Sequence, residues 1–315
     1  MSEQQKEPNW ERQVLEKLAM SAIQEQRRTR HWGILFKTLG FLYLFVLLFL
    51  AAGWFKSDVV STPKAHTALV DVRGVISADQ TSADLIIASL QGAFEDKKTK
   101  GVILRINSPG GSPVQAGQIY DEIKRLRTKH PDIPVYAVVD DICASGGYYV
   151  AVGADKIFVD KASLVGSIGV LMDGFGFTET MNKLGIERRL ITAGENKGFL
   201  DPFSPSDPQQ QAYARQMLTE IHNQFVSVVR EGRGDRIKDT AEVFSGLVWS
   251  GEKSIELGLA DAYGTVDSVA REVIKAEHIV DYTRQESLVE RLAGRLGAGA
   301  AQMLSPFDPA GVRLR

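Results

Sequence analysis

Between residues 66 and 160 the chain alternates short apolar runs with longer amphipathic stretches. Residues 67–72, 102–106, 135–139 and 156–159 are brief and rich in Val, Ile, Leu and aromatic side chains, a pattern that predicts buried strands. Residues 82–95 and 114–127 repeat their apolar positions at helical spacing, and 147–152 reads as a short helix. This βαβ rhythm predicts an α/β fold in which helices pack around a parallel sheet. Further on, residues 188–191 predict a strand and 206–230 a long helix with Pro208 in its first turn. Residues 248–261 predict a turn, a short helix ending at Gly258, and a strand.

The N-terminal pattern differs. Residues 38–55 form an uncharged run of 18 residues, long enough to span a bilayer. Arg27, Arg28, Arg30 and Lys37 precede it and Lys56 and Asp58 follow, so the charge bias predicts a single pass with the N-terminus in the cytosol. A cleaved signal peptide competes with this reading, but residues 1–37 make a long polar leader and no A-x-A site follows the run. Within the leader, Val14, Leu15, Leu18 and Ala22 have helical spacing and predict an amphipathic cytosolic helix. The expected organisation is a leader over 1–37, a signal anchor over 38–55, a linker over 56–65, a main domain over 66–275 and an extension over 276–315. Residues 297–315 turn to Gly, Ala and Pro, which predicts a mobile tail.

Composition removes several function classes. With 37 Lys and Arg against 39 Asp and Glu the net charge is −2, and no basic patch is interleaved with aromatics, which argues against nucleic-acid binding. The single cysteine, Cys143, excludes an internal disulfide and a cysteine-based structural zinc site. No metal or cofactor is implied.

Two glycine-rich strand-to-helix turns carry the candidate chemistry. The first, Ser108-Pro109-Gly110-Gly111-Ser112, follows the run 101–107; the second, Cys143-Ala144-Ser145-Gly146-Gly147, follows 135–139. A serine between small residues at such a turn can present its hydroxyl, and the next N–H lies free at a helix start. Taken alone, a Ser-Gly-Gly turn is ordinarily just a tight helix start. Consecutive glycines at the first turn let the backbone approach a bound carbonyl. Consecutive β–α units place both turns at the C-terminal edge of one sheet, where α/β folds put their sites. One turn can then supply a nucleophile and the other an oxyanion donor. The thiol of Cys143, two residues before Ser145, reads as a small buried side chain.

The base is less direct. The five histidines, His31, His66, His130, His222 and His278, all lie outside glycine-flanked or apolar settings, which argues against a Ser-His-Asp triad. A lysine serves as base where burial leaves its amine neutral. Lys197, in the stretch 192–203, has glycine and aromatic neighbours, although an exposed loop lysine is the ordinary reading of that segment.

The motifs SPGG (108–111), ASGGYY (144–149), VGSIGV (165–170) and AGENKGFLDPF (193–203), in this order, resemble the signal peptide peptidase A family of membrane-bound serine proteases. The resemblance covers residues 66–275 and implies a ClpP/crotonase-like fold of repeated ββα units. It implies a Ser/Lys dyad in which Ser145 matches the nucleophile and Lys197 the general base. Gly111 and Gly146 match the oxyanion hole, and Ser167 matches a serine that orients the lysine amine. SPGG and ASGG each occur once, as in the short, single-repeat form of that family. Phe199, Leu200 and Phe203 fit a dry lysine site, or equally core or subunit contacts.

The resemblance further implies hydrophobic, signal-peptide-like substrates, contact with membrane lipid, and a homo-oligomeric ring, possibly an octamer. It places the chain in the bacterial cytoplasmic membrane with its catalytic domain on the extracytoplasmic side. The stretch 248–261 also resembles a late segment of this fold, with Ser254 where alanine is usual. A crotonase-type acyl-CoA enzyme and a catalytically silent membrane scaffold remain as alternatives.

Overall fold

The computed structural model describes residues 10–51 and 64–284. They fall into two units, residues up to Val60 and Ser61–Gln285. The described part of the first is a single helix, α1 (Trp10–Ala51), long and apolar enough over part of its length to cross a membrane. The sequence predicted two segments, an amphipathic helix and a separate span. No proline interrupts residues 24–38, the single Gly33 costs only about 1 kcal/mol in a helix interior, and one helix carries both. Residues 52–55 of the expected span, most of the linker and the tail 297–315 lie outside the described residues.

The second unit is an α/β domain. Its elements run β1 (His66–Arg73), α2 (Ala83–Glu95), β2 (Thr99–Ser108), α3 (Pro113–Lys129), β3 (Val135–Ala144), α4 (Gly146–Ala151), β4 (Lys156–Val159), β5 (Leu164–Gly166), α5 (Thr178–Lys183), α6 (Pro208–Arg233), β6 (Val248–Ser250), α7 (Gly251–Glu256), β7 (Ala262–Tyr263) and β8 (Ile279–Asp281). Capping explains several starts. Ser82, Ser112 and Ser250 accept N–H bonds at the heads of α2, α3 and α7, and Asp207 does so before Pro208 of α6.

One eight-stranded sheet joins the strands in the order β6-β5-β3-β2-β1-β8, with β4 beside β3 and β7 beside β4. Every pairing is parallel except β5 with β6. The long β3 pairs β4 through residues 136–138 and β5 through residues 142–144. Strand alternation explains why the runs read as continuously apolar. Val70, Val72, Leu104, Ile106, Val135 and Val139 enter the main core under the helices, whereas Leu69, Ile103, Val138 and Phe158 pack against Val269 and Ala270 on the opposite face.

Two boundaries differ from expectation. Residues 188–191 form no strand and are exposed; they have no strand partner among the described residues, and Arg188 instead reaches Asp201 and lies over the Phe203 ring. The domain also continues past residue 275. Strand β8 pairs β1, and Thr283 and Arg284 are bonded to Asp71 and Ser89.

A buried clamp closes the domain beneath the sheet edge. Arg233, 1% exposed, makes two 2.9 Å bonds to the Asp261 carboxylate and donates Nε to the Gly258 carbonyl at 2.8 Å. Asp261 also accepts from the Ile157 N–H and from Arg236, and Tyr148 donates its hydroxyl to the Leu259 carbonyl. Ser254 is fully buried. Its carbonyl accepts from the N–H groups of Leu259 and Ala260, and its hydroxyl from α7 folds back to Gly251.

Candidate active site

Because β1, β2, β3 and β5 are parallel, the turns that leave them share one edge of the sheet. Ser145 follows β3 directly at φ 52° and ψ −122°, and caps α4 without using its side chain as a cap. Its N–H donates to the Gly166 carbonyl at 2.8 Å. Ala144 pairs with Gly166, so Ser167 stands at the next register position, and it too has a left-handed φ of 51°. Both serines are partly exposed, and neither hydroxyl has a hydrogen-bond partner among the described residues.

The SPGG turn packs against Ser145. Ser108 is fully buried; its hydroxyl donates to the Gly74 carbonyl at 2.6 Å and accepts from the Gly110 N–H at 3.1 Å. Ile76 donates to the Gly110 carbonyl and accepts from the Ser112 N–H, both at 2.8 Å, which leaves the Gly111 N–H turned away from Ile76. Gly110 and Gly111 have φ of 102° and 145°. A side chain on Gly111 would run into the Ile76 backbone, and one on Gly110 would lie 2.6 Å from the Gly146 nitrogen. Only glycine fits either place. A Cβ on Gly146 would sit 3.2 Å from the Gly111 nitrogen, so the two backbone donors lie side by side. Neither N–H has a partner among the described residues. Two free donors beside a serine hydroxyl form the arrangement that stabilises a developing oxyanion.

Lys197 is not part of this cluster in the single chain. It lies exposed in the turn-rich stretch 193–200, and its side chain has no hydrogen bond or ion pair among the described residues. The expected dry surroundings are absent there. Phe199 packs on Tyr213 and Phe203 on Phe177, aromatics of the same outlying region. That region carries much exposed apolar surface: Leu171, Phe175, Leu184, Ile186 and Ile191, the last 96% exposed. Cys143 is fully buried, which pushes its thiol well above the ordinary range and removes it as a nucleophile.

Among the histidines, His66 is buried against Tyr282, His130 packs on Phe94, and none is hydrogen-bonded to Ser145 among the described residues. His222 is the one that reaches the site's surroundings, with Nε2 3.1 Å from the Ile168 carbonyl oxygen. Its position on a mostly polar helix gave no sign of this in the sequence.

A left-handed serine turn flanked by two backbone N–H groups, at the edge of a mostly parallel sheet, fits a ClpP-like architecture. In agreement, the sequence model of Clp protease matches residues 65–163 and that of peptidase family S49 matches residues 127–280. A putative protease of Methanocaldococcus jannaschii is 32% identical over 241 residues, covering 73% of this chain and 76% of that one. The chain belongs to peptidase family S49. A putative signal peptide peptidase SppA of Enterococcus faecium is 30% identical over 209 residues, 66% of this chain and 60% of the relative. Two proteins named Na(+)/H(+) antiporter NhaA, from Brucella abortus and Brucella melitensis, are 42% identical over 209 residues. The match spans 64% of this chain but only 28% of the length of those two.

Proposed function

We propose that this chain is a membrane-anchored serine endopeptidase with a Ser145–Lys197 dyad, cutting hydrophobic peptides such as cleaved signal peptides at the membrane. The observation that carries the reading is the pair of free N–H groups, Gly111 and Gly146, set beside the left-handed Ser145 turn. The Ser145 Oγ attacks the scissile carbonyl while its proton passes to the neutral Lys197 amine. The oxyanion forms between the two N–H groups. Collapse breaks the C–N bond as the lysine returns the proton to the leaving amine, and water then releases the acyl group by the same route. Ser167, beside Ser145 in register, orients the amine without adding a negative charge, which would favour the ammonium form. Helix α1 supports the membrane anchor, and the signal peptide peptidase relative supports the substrate class.

A fluorophosphonate probe should label the wild-type chain and not Ser145→Ala. No labelling of either would favour the acyl-CoA or scaffold readings, and labelling that survives the substitution would place the nucleophile elsewhere.

The exposed Lys197 and the apolar surface around it support a ring of copies, by resemblance an octamer, in which a neighbour completes or buries the dyad. Mass and turnover of the detergent-solubilised protein should therefore fall together on dilution. A fully active monomer would sink the ring and the shared site, leaving Ser145 and its oxyanion donors in place.

A further inference from the structure

We propose that His222 is a positioning residue for the turn that carries Ser167. This rests on the proposed roles of Ser145 and Ser167. Gly166 and Ser167 hold consecutive left-handed conformations, with φ of 115° and 51°, and a serine keeps that conformation only where its surroundings impose it. Three hydrogen bonds on three consecutive residues do so. The Ser145 N–H donates to the Gly166 carbonyl at 2.8 Å, the Ser167 N–H donates to the Leu247 carbonyl at 2.7 Å, and the His222 Nε2 lies 3.1 Å from the Ile168 carbonyl oxygen. The first two join backbone to backbone and depend little on side-chain identity. The third is the only side-chain hydrogen bond to residues 164–170 among the described residues.

The chemistry of that third bond is specific. A carbonyl only accepts, so the imidazole must carry its proton on Nε2. The Ile168 side chain is fully buried, which fixes the exit of the turn and leaves its carbonyl little freedom to find water. His222 comes from α6, a different part of the chain. On the same face of that helix, Ala214 and Leu218 line a cavity of about 780 Å³ with Phe175 and Leu200, while Phe225 and Val229 enter the core. His222 stands where α6 passes from cavity to core, and its ring links the helix to the turn. Without the bond, the Ile168 carbonyl must seek another donor, and the displacement reaches Ser167 one residue away. A misplaced orienting hydroxyl slows the chemical step while the peptide still binds.

The test uses the full detergent-solubilised chain, with fluorophosphonate labelling and peptide turnover as readouts. His222→Leu should lower kcat about tenfold or more with KM within about twofold. His222→Gln keeps a donor at nearly the same reach and should stay within about threefold of wild type. In a Ser167→Ala background, His222→Leu should cost little further, because its effect runs through that hydroxyl. His222→Asn, whose donor stops one bond short, takes the place of the leucine variant if that one does not fold. Wild-type kcat in His222→Leu, a glutamine variant as slow as the leucine one, or an equal loss in the Ser167→Ala background would each overturn the inference. Ser145→Ala, run alongside, separates this failure from that of the parent reading. If wild type labels no better than Ser145→Ala, the protease assignment falls and the His222 role falls with it.

Discussion

Lys197→Ala should remove turnover almost as completely as Ser145→Ala, each by about 10⁴-fold or more in kcat, and the double variant should be no worse than either. A nucleophile and its base act as one unit, so once either is lost the other has nothing to assist. Ser167→Ala should leave a weak residual rate, since it removes orientation and keeps both reacting groups. Single-turnover hydrolysis of a hydrophobic peptide checks all four proteins. The prediction is demanding because the Lys197 side chain is exposed and has no hydrogen bond or ion pair among the described residues. Near-normal activity of Lys197→Ala would move the base elsewhere. The proposed role of Ser145 would still rest on the paired donors at Gly111 and Gly146.

The second large effect is on stability. Asp261→Ala leaves the 1% exposed Arg233 without its carboxylate, and an uncompensated buried charge costs about 3–5 kcal/mol. For a domain of this size that corresponds to a fall in Tm of roughly 6–20 °C. Changing both partners, Arg233→Met with Asp261→Val, should recover much of the loss because no buried charge remains.

The pH dependence has a definite sign. Burial pushes the Asp261 carboxyl up, but the Arg233 hydrogen bonds and charge, the Ile157 N–H and Arg236 outweigh it and hold the carboxyl below its ordinary value. A carboxylate depressed in the folded state stabilises fully above the unfolded value, about pH 4, and loses that contribution as pH falls through its folded value. The gap between wild type and Asp261→Ala, measured by urea unfolding, should thus be full at pH 7 and narrow in acid. A gap below about 1 kcal/mol at neutral pH would show that the clamp does not behave as a buried pair.

The parts of this molecule that were legible in its sequence are those in which local pattern and tertiary context agree. The runs at 67–72, 102–106, 135–139 and 156–159 are apolar on both strand faces because the sheet is covered on both sides there. The starts of α2, α3 and α6 carry Ser82, Ser112 and Asp207, whose caps need only local geometry. Strands β5 and β8 have three residues each and exist through pairing with β3 and β1, which no short window of sequence can show. The opposite error arose at residues 188–191, where local strand preference found no partner.

The site divides in the same way. Ser145, Gly146 and Gly111 stood out as candidates from two glycine-rich turns that the parallel topology brings to one edge, whereas Ser167 became a candidate only through the family resemblance. The His222 contact spans 54 residues and depends on how α6 lies over the turn. Lys197 sits in an outlying stretch whose exposed apolar side chains find too little cover within one chain.

The left-handed backbone at Ser145 also restricts which hydroxyl can serve there. Threonine carries the same oxygen, yet a branched Cβ at positive φ is a steric outlier. The turn therefore discriminates between two nucleophiles of nearly equal reactivity by shape alone. Cysteine, unbranched like serine, fits the same backbone, so an exchange of oxygen for sulfur is sterically open at a position where one extra methyl group is not.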